Sequence, residues 1–221
     1  MMDAENLRET YNRYFSQDKN LWTSSDKVKT EMVARQTIYW LEQSGYTKTG
    51  GKFLDVGCAT GFYTEAFRTL GFRATGLDYS DEAVKQATKN FPQCNFIQMN
   101  GFEPVFQEKF DLIFCRGFSG ANTHDLTFIS AWMNKYVNYL SDGGFFVFGY
   151  SSDFSGKEKE GETVNLSREE LKDLTSKIKA SFEGIHVFYY FGLISKVKRM
   201  IEKTILKKTA KDYYYMLFRK N

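Results

Sequence analysis

The 221-residue chain predicts an α/β protein: an open, doubly wound, mostly parallel sheet with helices on both faces. Three observations carry this. From residue 52 onward, seven short runs of apolar, β-branched and aromatic residues alternate with segments of helical periodicity. Most of these runs are apolar without a break, as strands are when helices cover both faces of their sheet. The composition, 42% hydrophobic and 26% charged, is that of a globular protein able to bury a substantial core.

Two polar, helix-like segments come first, near Asp3–Ser16 and Asp26–Ser44. In the second, Val28, Met32, Arg35, Ile38, Tyr39 and Leu41 recur at roughly helical spacing, and Gly45 follows as a stop. Then come Lys52–Val56 as strand, Phe62–Leu70 as helix, Arg73–Asp78 as strand and Asp81–Asn90 as helix. Asn95–Met99 and Phe110–Arg116 read as strands, Leu126–Leu140 as a helix, Gly144–Tyr150 as a strand and Arg168–Ser181 as a helix. The end reads as strand over Gly184–Phe191, helix over Ile194–Leu206 and strand over Asp212–Arg219.

Only two prolines occur and no Pro- or Ser-rich linker, so we expect a single domain over 1–221. Within it, 1–48 would be a helical appendage, 50–150 the core, and 151–221 a C-terminal half with a basic helix. No apolar run approaches the ~20 residues of a membrane span, and Met1–Thr10 lacks signal-peptide character. The three cysteines, Cys58, Cys94 and Cys115, are irregularly spaced, with no Cys/His cluster. That suggests reduced thiols, a cytoplasmic location and no zinc. No cluster of Asp or Asn ligands suggests another metal. Residues 192–221 hold nine Lys/Arg against two acidic residues, whereas the rest holds 21 against 25.

The informative stretch is Phe53-Leu54-Asp55-Val56-Gly57-Cys58-Ala59-Thr60-Gly61-Phe62-Tyr63. A strand enters a tight turn whose small residues let the backbone approach a ligand closely. The helix that follows points its free N–H groups there. A dinucleotide fingerprint, G-x-G-x-x-G, would require glycine at Phe62. What stands instead is D-x-G-x-A-x-G. Asp78 ends the next strand, where a carboxylate suits both hydroxyls of a ribose diol. Gln98-Met99-Asn100-Gly101-Phe102 follows the third strand, and Ser141-Asp142-Gly143-Gly144 precedes the fifth.

These four pieces, in this order over residues 50–150, resemble class I methyltransferases, which use S-adenosyl-L-methionine (SAM) and release S-adenosyl-L-homocysteine (SAH). The resemblance implies a Rossmann-like, seven-stranded sheet with its last strand antiparallel and an N-terminal helical lid. It implies SAM contacts from Asp55, Gly57, Cys58, Ala59, Gly61 and Tyr63, with Asp55 anchoring the loop or touching the methionine moiety. Asp78 and Tyr79 would meet the ribose. Asn100, Gly101 and Phe102 would meet the adenine, with Cys115 at the end of the fourth strand. Tyr11-Asn12-Arg13-Tyr14-Phe15 and Trp22 lie on segments that often fold over the cofactor, with Tyr14 the candidate to stack or hydrogen-bond beside SAM; ordinary packing of the helix on the sheet is the alternative. Ala59 replaces the family's usual glycine, and the turn before the fifth strand lacks the usual proline.

In methyl transfer the donor is already activated, so holding acceptor and methyl in line is the protein's main contribution, worth ~7–11 kcal/mol. A hydroxyl acceptor also needs a base, worth roughly 10²–10⁴ in rate. The search narrows to Cys115-Arg116-Gly117-Phe118-Ser119-Gly120-Ala121-Asn122-Thr123-His124-Asp125, after the fourth strand. This is not the (D/N)PP(Y/F) signature of enzymes methylating exocyclic or amide nitrogens, which disfavours DNA amino-methylation. His124 is the candidate base, since imidazole titrates near ~6.5; local bonding beside a helix cap by Thr123 or Asp125 is the alternative. Arg116, Asn122 and His124 are candidate acceptor contacts, and Arg116 suits a carboxylate or phosphate or, equally, a core acid. His186, inside a strand, reads as structural. The leading expectation is O-methylation of a small molecule or glycan. An RNA or protein methyltransferase using the basic tail, or a SAM-binding module without catalysis, is the alternative. Membrane contact by that tail is a further alternative, and the sequence assigns no oligomeric state.

Overall fold

The computed structural model describes residues 4–16, 24–48, 50–157, 164–188, 197, 200 and 211–221. In chain order the elements are α1 (Ala4–Ser16), α2 (Ser24–Gln43), β1 (Lys52–Val56), α3 (Phe62–Thr69), β2 (Arg73–Asp78), α4 (Asp81–Asn90) and β3 (Asn95–Gln98). They continue with β4 (Phe110–Arg116), a 3₁₀ turn (Ser119–Ala121), α5 (Leu126–Val137), β5 (Leu140–Ser152), α6 (Arg168–Lys177), β6 (Ser181–Phe188) and β7 (Asp212–Arg219). The seven strands form one sheet in the order β3-β2-β1-β4-β5-β7-β6. Strands β1 to β5 pair in parallel where they are neighbours, and β7 runs antiparallel to both β5 and β6. The strand order reverses between β1 and β4, the place where open α/β sheets leave a crevice at the carboxyl ends of their strands.

The apolar strands alternate between two buried layers. Leu54, Ile113, Cys115, Phe146, Phe148 and Met216 face one layer, packed with Ile129, Trp132 and Tyr136 of α5 and with Leu171 and Leu174 of α6. Phe53, Phe114, Phe145, Val147 and Leu217 face the other, against Val33 and Leu41 of α2 and Phe67 of α3. Helices on both faces explain why the period-2 polar alternation of a half-exposed strand is missing from the sequence.

The junctions into β5 and β6 differ from the sequence reading, each for a local reason. Leu140 is not the end of α5 but the first residue of β5, paired with Phe110. The expected turn Ser141–Gly144 is an irregularity inside that strand, after which pairing resumes at Leu112 and Phe145. Gly184 does not open β6 but marks its bulge, between Phe182 and Gly184, so the strand begins at Ser181. Ile194–Leu206, expected as a basic helix, and Trp22 lie outside the described residues, Val197 and Met200 apart.

Candidate cofactor cavity and acceptor face

At the end of β1 the chain turns sharply under the control of the next strand. The amides of Gly57 and Cys58 both donate to the Leu77 carbonyl at 2.9 Å. Gly57 has φ +73 and Ala59 φ +48, both left-handed. At Ala59 that conformation costs roughly 1–2 kcal/mol, and its amide is held by the Asp78 carboxylate at 2.9 Å. Asp55 lies beneath this turn rather than on the cavity wall. It is buried and accepts a 2.7 Å bond from the Thr64 hydroxyl of α3, tying strand to helix. Burial pushes its carboxyl up to about 7; the Thr64 bond works against that rise and nearby Asp78 adds to it.

The cavity outside the strand ends is lined by Gly57, Cys58, Ala59, Thr60, Tyr63, Asp78, Tyr79, Asn100, Gly101, Phe102 and Arg116, with Phe118 and Ser119 from the β4–α5 loop. Asp78 also accepts the Ser80 amide at 2.9 Å, and burial raises its carboxyl above the usual range. Each of its oxygens has a second lone pair. Gly61 and Cys115, expected as contacts, stand behind the wall: Gly61 caps α3, and Cys115 is fully buried with its thiol pushed up by that burial.

The Asn100–Phe102 turn is clamped from α5. Trp132 Nε1 and the Tyr136 hydroxyl, one helical turn apart, each donate to the Gly101 carbonyl at 2.8 Å. Lys135 Nζ adds a bond to the Phe102 carbonyl at 3.0 Å, and Asn100 Oδ1 accepts the Phe102 amide at 3.0 Å. Phe118 stacks on Trp132 with centroids 4.6 Å apart, and a Cβ on Gly101 would lie 3.0 Å from its ring. Bare backbone at Gly101 therefore lets the aromatic platform close on the turn. Sequence reading passed over Trp132 and Tyr136; their i, i+4 spacing on an apolar helix is the signal of a shared target, without saying which.

Helix α1 supplies Tyr11 and Phe15 to the cavity wall. Tyr14, expected there, is 52% exposed and does not line it, because each helical residue turns the side chain about 100° from its neighbour. The helix is fastened to the start of α4. Asn12 Oδ1 accepts the Ser80 hydroxyl at 2.7 Å and its Nδ2 donates to Asp81 at 3.3 Å, while Gln86 donates to the Phe15 carbonyl at 2.7 Å.

On the far side of β4 stands Arg116. Its Nε donates to the Tyr215 hydroxyl at 2.9 Å, and its guanidinium lies 3.9 Å from the Tyr213 ring centroid and 5.3 Å from that of Tyr63. Arg116, Gly149 and Tyr215 are register partners across β4, β5 and β7. A Cβ on Gly149 would come within 2.6 Å of the Tyr215 ring, so glycine in the middle strand lets this contact form. Asn122 and His124 do not line the cavity: Asn122 Oδ1 accepts the Val164 amide at 2.7 Å, and His124 Nδ1 is 2.6 Å from Glu170 Oε1 at the start of α6. His186 stacks on Trp40 at 4.7 Å, in a structural position. Among the described residues no group of three His, Cys, Asp or Glu side chains converges as metal ligands would.

A family model described as a methyltransferase domain matches residues 47–221. No curated protein matches the chain. Among solved structures, the N-methyltransferase NodS from Bradyrhizobium japonicum WM9, in complex with SAH, superposes with a TM-score of 0.66 at 18% identity, covering 97% of this chain and 98% of that one. Magnesium protoporphyrin IX methyltransferase from Synechocystis PCC 6803, with bound SAH, gives 0.66 at 13% identity and covers 100% of both chains. Geranyl diphosphate C-methyltransferase from Streptomyces coelicolor A3(2) gives 0.64 at 13% identity, covering 97% and 98%. At such identities these three speak for the fold.

Proposed function

The chain belongs to the methyltransferase-domain family and is a class I SAM-dependent methyltransferase; from that premise we propose that it methylates an oxygen atom of a small-molecule or glycan acceptor. The observation that carries the acceptor class is the position of α1. Tyr11 and Phe15 wall the cavity at a helix pinned by Asn12 and Gln86, an arrangement suited to enclosing a small acceptor. Two of the similar structures bear names with small-molecule substrates, magnesium protoporphyrin IX and geranyl diphosphate.

The residues present fit the cofactor. Gly57 and Gly101 expose bare backbone to the cavity, and the Asp78 carboxylate stands between them in chain order at the end of β2. In this reading Asp78 holds the ribose hydroxyls, the Asn100–Phe102 turn holds the adenine, and the Gly57–Gly61 turn passes the methionine moiety. When bound, SAM supplies an activated methyl group for in-line displacement by the acceptor atom, leaving SAH. The chain's own part is orientation: Tyr11, Phe15, Tyr63 and Phe118 exclude water and limit the acceptor's approach.

A hydroxyl acceptor needs its proton removed. The carboxylate of Glu170 beside His124 Nδ1 favours the tautomer whose lone pair is on Nε2, the form a general base requires. His124 stands outside the cavity lining, so it is the candidate base for an acceptor that extends past Phe118 and Ser119 along the β4–α5 loop, with Glu170 orienting it. His124→Ala should lower turnover by roughly 10²-fold or more with SAM affinity intact; equal turnover would assign the pair to the α6 cap. We place the protein in the cytoplasm, a reading supported by the three free cysteines.

The test is methyl-labelled SAM supplied with a cell extract separated into small molecules, glycans, and RNA plus protein. Label entering either of the first two supports the reading. Label confined to RNA or protein overturns it.

A further inference from the structure

We propose that the acceptor carries a carboxylate and that Arg116 is its receptor, a reading that deepens the small-molecule proposal above and rests on it. Asp78 and Arg116 are the charged residues among the described cavity-lining side chains. They stand at the ends of β2 and β4, with β1 between. Neighbouring strands lie about 4.8 Å apart, so the two charges sit about 10 Å apart along the strand ends. A cofactor whose ribose meets Asp78 would therefore reach toward β4 with its sulfur end, and Arg116 stands on the acceptor's side of it.

The guanidinium is built into place rather than left to wander. It stacks at 3.9 Å over Tyr213, lies 5.3 Å from Tyr63, and spends its Nε–H on the Tyr215 hydroxyl. Tyr213 and Tyr215 belong to β7, the strand inserted between β5 and β6, so the C-terminal part of the chain fixes this cation beside the cofactor half. A positioned, permanently charged, planar fork matches a carboxylate geometrically, and one guanidinium balances one carboxylate. The rings of Tyr11, Tyr63 and Phe118 lining the same cavity favour a flat acid over a polyol.

The experiment is calorimetric titration of SAH-saturated protein with benzoate and with its neutral isostere benzamide. Wild type should bind benzoate about tenfold or more tightly than benzamide, the scale of a charged hydrogen-bonded pair. Arg116→Gln should erase that preference while SAH affinity stays as in wild type, with the melting temperature lowered by about 2–4 °C for the lost Tyr215 bond and Tyr213 stack. Arg116→Lys, which keeps the charge without the fork, should fall between and serves if the Gln variant does not fold. Equal binding of the two probes, no binding of either, or a preference that survives in Arg116→Gln would overturn the proposal. So would a loss of SAH affinity in Arg116→Gln with binding of 5′-methylthioadenosine unchanged, because the arginine would then serve the cofactor's own carboxylate. Label found only in RNA or protein would instead remove the small-molecule reading, whatever benzoate does.

Discussion

Asp55 and Asp78 lie near the ends of neighbouring strands, yet their carboxyls do different work. Asp55 is sealed under the turn, and burial lifts its pKa to about 7. Between about pH 4, where the unfolded carboxyl ionises, and pH 7, the folded chain holds a proton that the unfolded chain has lost. Stability contributed by the protonated form is thus full below pH 4 and is lost as pH rises to 7. Asp55→Asn, which keeps an acceptor for Thr64, should gain on wild type between pH 4 and pH 8 by up to about 4 kcal/mol. Melting curves at the two ends check this, and parallel curves for the two proteins would contradict it. Asp78→Ala should weaken SAH binding by tenfold or more, since charge-assisted bonds to the ribose are lost; unchanged affinity would end the ribose assignment. Residue types legible in the sequence were those tied to a turn or a strand end, such as Gly57, Asp78 and Asn100. Tyr11 in place of Tyr14, and Phe118 as a platform, depend on helix rotation and loop course, which no local spacing encodes.

Elements whose ends carry a chemical stop were read to the residue. α4 begins after Ser80, whose hydroxyl accepts the Ala83 amide, and β2, β4 and β7 have the expected bounds. The junctions α5–β5 and α6–β6 were misplaced because apolar residues run across them, and strand pairing rather than propensity decides where the helix stops. The tie between α1 and α4 was invisible in sequence, being four side-chain bonds spanning about seventy residues in the chain. It makes a prediction at this scale. Asn12→Ala should weaken SAH binding several-fold by loosening the helix that carries Tyr11 and Phe15, with global melting lowered by no more than about 2–4 °C. A full-sized loss of melting temperature with intact SAH affinity would show α1 to be a packing element only. Gly149→Ala places a methyl 2.6 Å from the Tyr215 ring. It should cost about 1–3 kcal/mol in thermal unfolding.

At the scale of the molecule, the alternation of strand and helix is enough to imply a doubly wound sheet, and the glycine turn locates the crevice within it. The position of β7 between β5 and β6 follows from no periodicity; the family resemblance implied only that the last strand is antiparallel, and the insertion is seen in the sheet order. That insertion brings Tyr213 and Tyr215 to Arg116, so the proposed acceptor side is assembled by residues about a hundred positions apart. Such long-range assembly is why the acceptor was the least legible part of the sequence, whereas the residues proposed for the cofactor, Asp55 to Phe102, are written within one stretch of about fifty residues.

The most direct test of the account is calorimetric titration of the protein with SAH, beside a folded Gly57→Arg variant whose side chain would occupy the turn. The account predicts one-to-one binding to wild type, with a dissociation constant between about 1 µM and 1 mM, and none to the variant. Absence of binding to folded wild type, or equal binding to both proteins, would contradict a cofactor seated at the crevice between β1 and β4.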